Sequence, residues 1–335
     1  MIPSAFDYVR PSSVEEAVSA LAAAGEDAKI MAGGQSLLPI MRLRLGNPST
    51  VIDLGGIAEL RGVREDGDAI VIGAMTTHAD VLKDPLIAEH AKLIAQATQT
   101  VADPAVRHRG TFGGALAHAD PAGDLPAVAV ALQAEFVLVG PNGSRTVPAS
   151  DFFVDYLTTA MADNEVLTEI RVPKHTGWGS SYEKFSRVAQ AWAMVGVAAL
   201  VRRENGPIAE ARIGLTNMGP TPIRATAVEQ ALAGAGDDDA VGSAAAHAGE
   251  GATPGSDLNA QADYRTHLAT VLTKRAVLAT VSDERRPGSY EPSRGLPPSL
   301  RFWPKPPRGG LGQGGVASWV SRVPTRHRHK VIRCS

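Results

Sequence analysis

Residues 109–126, reading R-G-T-F-G-G-A-L-A-H-A-D-P-A-G-D-L-P, constrain this chain more than any other stretch. Gly113 and Gly114 closely follow Thr111, and Asp120 and Asp124 come soon after, with Pro121 and Pro126 beside or near them. A glycine lets the backbone turn tightly and lets a ligand come up to the peptide plane. Successive backbone N–H groups in such a turn form a concave anion site. Upstream, Ala32-Gly33-Gly34-Gln35-Ser36-Leu37 has the same character. The two loops together predict a grip on one diphosphate. The N–H groups of Gly33, Gly34, Gln35 and Ser36 would take one phosphate, and those of Gly113, Gly114 and Ala115 the other. Thr111 would add a hydroxyl donor. Either loop alone is an ordinary turn. No G-x-x-x-x-G-K-[ST] occurs and no G-x-G-x-x-G opens a helical pattern, so the P-loop and the usual dinucleotide fingerprint are excluded.

At 335 residues the chain can build two or three compact units. Aromatic residues make up only 5%, so its cores must rely on Ala, Val, Leu and Ile. No apolar run reaches the roughly 18 residues that span a bilayer. The longest candidate, residues 125–139, is interrupted by Gln133 and Glu135. The N-terminus lacks a basic stretch followed by an apolar one, so a cytoplasmic protein is expected. Cys334 is the only cysteine, which excludes an intrachain disulfide and an iron–sulfur cluster, since a cluster needs about four thiolates. The histidines are scattered except for His327 and His329, so no metal site is expected in the folded part. Any redox group would then be organic.

Along the chain, Ser13 and Glu16 predict a capped helix that carries Val18 and Leu21 and ends near Gly25. A strand at Lys29-Ile30-Met31 delivers the first loop, a helix over 39–45 follows, and Val51 to Leu54 is a strand. Strands are expected on either side of a Glu65-Asp66-Gly67 turn. One long helix is expected over 86–98 and another over 125–133, then a hairpin around Asn142-Gly143. Residues 174–179 read as a boundary. Beyond it come three strands (181–185, 195–202 and 209–217) and helices over 224–233 and 259–281. From residue 286 onward eight Arg and two Lys face Glu291 alone, a net charge of about +9 against about −11 for the rest. That Pro- and Gly-rich tail, 286–335, cannot bury enough surface to order itself and reads as disordered. A nucleic-acid role for it is the weaker reading.

A-G-G-Q-S-L, followed about 75 residues on by R-x-R-G-T-F-G-G-x-L-A-H-A-D-P-A-x-D-L-P, resembles the FAD-binding medium subunits of carbon monoxide dehydrogenase and the wider xanthine dehydrogenase class of molybdenum hydroxylases. The resemblance runs over residues 1–283 and stops before the tail. It implies an α+β chain. A two-subdomain FAD-binding fold (PCMH or vanillyl-alcohol-oxidase-like) over 1–175, split near residue 56, would precede a C-terminal domain over 178–283 with a small three-stranded antiparallel sheet and helices. It implies FAD as cofactor. The residues it marks for FAD are both loops, Ala32 to Leu37 and Gly110 to Ala115 without Phe112, with Val101 and Ala102 acting through backbone, and Leu167. Asp124 would accept from a ribose or ribityl hydroxyl, while Asp120, marked with it, reads better as a turn or cap. Lys184 would place a cation near the flavin, against the alternative of a solvated strand face. Trp192 would lie by the ring or fill the core. The family often carries an aspartate just before this aromatic, and here that position is Ala191.

The resemblance further implies an electron-transfer role with two partners, a large molybdopterin subunit and a small subunit with two [2Fe–2S] clusters, in a dimer of heterotrimers. Two other readings stay open on the residues alone. One is a stand-alone flavin reductase or oxidase on the same fold; the other is a non-redox module that binds a phosphate ligand.

Overall fold

The structure is a computed structural model that describes residues 2–284. The basic tail lies outside the described residues. The first subdomain holds β1 (Asp7–Val9), α1 (Val14–Ala24), β2 (Ala28–Met31), α2 (Leu37–Arg42) and β3 (Thr50–Asp53), with the three strands parallel in the order β1-β3-β2. Ser13 caps α1 by accepting from Glu16 N, while the Glu16 carboxylate reaches back to accept from the Ser12 N–H and hydroxyl. Val14, Ala17, Val18 and Leu21 bury one stripe of this helix. Helix α2 begins two residues earlier than the sequence pattern suggests. Pro39 is then its third residue, where a missing N–H costs nothing because first-turn donors have no intrahelical acceptor.

The second subdomain runs β4 (Val63–Asp66), β5 (Ala69–Gly73), α3 (His78–Val81), α4 (Pro85–His90), α5 (Lys92–Gln99), α6 (Pro104–Arg107), α7 (Phe112–His118), α8 (Asp124–Ala131), β6 (Glu135–Gly140), β7 (Gly143–Pro148), α9 (Ala149–Phe152), β8 (Phe153–Asp155), β9 (Thr158–Thr159) and β10 (Val166–Pro173). Its antiparallel sheet is ordered β4-β5-β10-β6-β7. The single helix expected over 86–98 is two helices. Asp84 caps the first, with Pro85 at its first position, and Ala91 leaves the helical region at φ −146° between them. A further difference concerns Gly113 and Gly114, which lie inside α7 rather than in a turn. Helix α8 is buried at every position and packs against α5 on one side and the C-terminal sheet on the other. An all-round apolar helix is what an enclosed position requires.

The C-terminal lobe contains β11 (Gly179–Phe185), β12 (Val195–Arg203), β13 (Ile208–Thr216) and β14 (Ile223–Arg224), then α10 (Thr226–Leu232), α11 (Asp238–Ala245) and α12 (Ala262–Glu284). The antiparallel sheet has four strands in that order, which corrects the expected three. Its fourth strand is two residues long, paired as Gly214↔Arg224 and Leu215↔Ile223, and so leaves no periodic trace in sequence. Val195, Val197, Ala199 and Val201 of β12 face the C-terminal helices, and Ala198 and Leu200 face the second subdomain. Both faces of this sheet are therefore covered. The approach is close: a Cβ on Gly214 would lie 2.2 Å from the Ala127 carbonyl oxygen of α8.

Candidate functional site

The first loop links β2 to α2. Among the described residues no protein acceptor takes the backbone N–H of Gly33, Gly34, Gln35 or Ser36. Gly34 makes the turn at φ +72°, in the region that favours glycine. Gly33 has a different task. A Cβ there would sit 2.2 Å from the Arg109 carbonyl oxygen and 2.7 Å from Gly110 Cα, so the two glycine-bearing stretches touch backbone to backbone.

The second stretch behaves otherwise than expected. Gly113 N–H donates to Ala74 O (3.0 Å), Gly114 N–H to Thr111 Oγ1 (3.1 Å) and Ala115 N–H to Thr111 O (3.1 Å). These groups hold α7 in place, and the expectation that they cradle a second phosphate is corrected. Thr111 is the cap of that helix. The glycines serve packing, because a Cβ on Gly113 would meet Ala74 Cβ at 2.6 Å and one on Gly114 would meet Ala32 Cβ at 3.1 Å.

Both stretches border a cleft of about 700 Å³, within the usual range for small-molecule sites. Residues from both subdomains and the C-terminal lobe line it. The sequence-marked residues all converge on this wall: Ala32 to Leu37, Val101, Ala102, Gly110, Thr111, Gly113 to Ala115, Asp120, Asp124, Leu167, Lys184 and Trp192. Asp120 also makes the expected turn, its Oδ1 accepting from Ala122 N at 2.9 Å. Trp192 is 57% exposed, so it is not core filling. Ala102 is left-handed at φ +41°, and Arg107 braces that turn by donating from Nη1 to the Val101 carbonyl at 2.7 Å.

A buried ion pair closes one side of the cleft. Lys184 Nζ lies 2.8 Å from Asp124 Oδ2, with side chains 7% and 4% exposed, and donates also to Thr100 O at 3.1 Å. The solvated-face alternative for Lys184 is thereby overturned, and its charge is balanced by Asp124. Tyr182 donates to Asp124 Oδ1 at 2.7 Å, and its hydroxyl is 3.3 Å from Thr216 Oγ1. Burial pushes the Asp124 carboxyl up from its ordinary value, while Lys184 and then Tyr182 pull it back. Burial first, and the Asp124 charge second, hold the Tyr182 phenol well above its ordinary value, so it remains a donor. His78, which also lines the cleft, is 4% exposed with its Nδ1 unpartnered. Burial, and secondarily Arg107, lower its pKa to about 4.

Tyr182, Arg107 and His78 were not marked as site residues by sequence reasoning. Arg107 sits inside the quoted R-x-R-G motif, the one signal that pointed at it. Tyr182 acts through a partner 58 positions away and leaves no local pattern. Among the described residues no cluster of three or more His, Cys, Asp or Glu is gathered that could hold a metal ion, and no helix is long and apolar enough to cross a membrane.

Comparison with known proteins identifies the family. The profile of the FAD binding domain in molybdopterin dehydrogenase matches residues 4–175, and that of the CO dehydrogenase flavoprotein C-terminal domain matches residues 180–280. The carbon monoxide dehydrogenase medium chain of Hydrogenophaga pseudoflava is 46% identical over 283 residues, covering 83% of this chain and 98% of that relative. This chain belongs to the FAD-binding medium-subunit family. The solved carbon monoxide dehydrogenase of Hydrogenophaga pseudoflava superposes with a TM-score of 0.82 at 47% identity, covering 84% of this chain and 99% of that one. Quinoline 2-oxidoreductase from Pseudomonas putida 86 gives the same TM-score at 33% identity, covering 85% of this chain and all of that one. In a medium subunit the cofactor is FAD. The residues here fit it on their own geometry: free N–H groups on the first loop suit a phosphate, and the cleft-side Asp124 carboxylate suits a hydroxyl.

Proposed function

We propose that this medium subunit relays electrons within a molybdenum hydroxylase, taking them from iron–sulfur clusters on a partner subunit and handing them to an external acceptor. Its partners are a large molybdopterin subunit and a small subunit with two [2Fe–2S] clusters, assembled as a dimer of heterotrimers in the cytoplasm. FAD, when bound, supplies the ability to take electrons singly and release them in pairs. The chain's own residues bind and orient it. Gly33, Gly34, Gln35 and Ser36 would hold a phosphate through backbone N–H groups. Asp124 would accept from a hydroxyl, and Leu167 with Met75 would form apolar wall that excludes water. Lys184, balanced by Asp124, keeps positive charge beside the cleft without leaving it uncompensated.

The observation that carries this reading is the single cleft shared by the anion-ready first loop and by Lys184 and Trp192 of the C-terminal lobe. A ligand touching all of these spans both lobes, as a dinucleotide can. The relatives support the assembly: one is named as a subunit of the 6-hydroxypseudooxynicotine dehydrogenase complex of Paenarthrobacter nicotinovorans, at 35% identity over 98% of its length.

The test uses the FAD-loaded full chain. Addition of the reduced iron–sulfur subunit should bleach the flavin, and NADH alone should not. Rapid bleaching with turnover on NADH alone would make the chain a self-contained reductase. A chain that stays colourless after incubation with FAD would make it a module for another phosphate ligand.

A further inference from the structure

We propose that Tyr182 is a positioning residue of the cofactor cleft, one that keeps the Asp124 carboxylate an acceptor for a hydroxyl of bound FAD. The proposal rests on the FAD reading and adds to it a residue from outside the cleft wall. Asp124 is the first residue of α8, in the second subdomain, whereas Tyr182 and Lys184 stand two apart on β11 of the C-terminal lobe. Side chains two apart on a strand share a face. One therefore reaches Oδ1 and the other Oδ2 of the same carboxylate, at 2.7 and 2.8 Å.

The surroundings are shaped to the phenol. Thr216 on β13 places its hydroxyl 3.3 Å away, and a Cβ on Gly196 of β12 would lie 2.5 Å from the Tyr182 oxygen. A buried carboxylate is costly unless it is both paired and hydrogen-bonded. With Lys184 alone, Oδ1 would lose its donor, and the carboxyl would take up a proton more readily. A protonated carboxyl turns part of its acceptor surface into a donor. Among the described residues no other charged group bonds to Asp124. The other titratable groups lining the cleft are Glu26, Lys29, His78, Asp163, Glu165, His118 on α7 and Asp120 in the turn before α8. His118 and Asp120 face each other at 4.0 Å, and all of these groups are common to wild type and variants, so they cancel in a comparison.

The experiment is a titration of FAD into the full chain freed of its flavin, between about pH 8 and about pH 5.5, where an ordinary carboxyl stays ionised and one that has lost a donor takes up a proton more readily. Wild type should hold its Kd nearly constant. Tyr182→Phe should bind almost normally at the alkaline end and about tenfold more weakly at the acid end, the loss expected when a buried acceptor is left unpartnered. Thr216→Val, which frees the phenol to swing, should shift in the same sense by a smaller factor, and it carries the test if Tyr182→Phe does not fold. Equal weakening at every pH would reduce Tyr182 to packing and overturn the proposal, as would no change at all. A wild-type chain that binds no FAD would instead overturn the functional reading beneath it.

Discussion

Gly33 shows how one residue decides whether the cleft exists. The sequence read its glycine pair as an anion cradle, and the N–H groups of the first loop do stay free. The reason for glycine at this position is nevertheless a contact: its missing Cβ is what allows residues 109 and 110 to come within 2.2 and 2.7 Å of where that atom would be. Backbone cannot rotate away as a side chain can. Gly33→Ala should therefore part the two stretches. A loss of about 1–3 kcal/mol in urea unfolding is expected from overpacking, with at least roughly tenfold weaker FAD binding by fluorescence titration. Wild-type affinity in this variant would show that the loops move freely. Motif residues were legible because their types are unusual and adjacent. Tyr182 was not, because its meaning comes from a partner on another strand.

At the scale of elements, α7 and α8 organise the site. Thr111, itself extended at φ −114°, bridges to Thr77 and caps α7 through its hydroxyl. Thr111→Val keeps the branched shape and removes the oxygen. It should cost about 1 kcal/mol, as an N-cap loss does, and Thr111→Ser should recover most of that in the same denaturation assay. The capped start of α1 was readable from Ser13, since a cap is a local bond. The break at Ala91 and the two-residue β14 were not, since tertiary packing sets both.

For the whole molecule, the join between lobes is a packed seam at the stretch the sequence reads as a boundary. The Arg202 and Arg212 guanidinium groups lie over the Trp178 ring, 5.6 and 5.0 Å from its centroid, with His175 edge-on at 5.3 Å. Arg212 Nη1 donates to His175 Nε2 at 2.9 Å, which requires that nitrogen to be unprotonated. Burial first, then Arg212, lowers the His175 pKa to about 4. Its ordinary value is about 6.5, so between those values the unfolded chain binds the extra proton and the folded one does not. Stability supplied by His175 is thus complete above pH 6.5 and is lost as pH falls towards 4, and His78 behaves alike. Each is worth on the order of 3 kcal/mol at neutral pH. Unfolding midpoints should fall over that window, and His175→Gln should shrink the fall. An unchanged pH slope in the variant would show that His175 takes up its proton as readily in the folded state as in the unfolded one.

Sequence alone determined the local parts: helix caps, strand runs, the two glycine stretches and, through their combination, the family and its cofactor. Those signals are carried by neighbouring residues, whose bonds do not depend on the rest of the chain. Only the tertiary structure decided which N–H groups remain free for a ligand, that the charge on Lys184 is matched by Asp124, and that Tyr182 matters at all. Each of these depends on groups far apart in sequence and close in space, where burial makes every unpaired polar atom costly and so selects its partner.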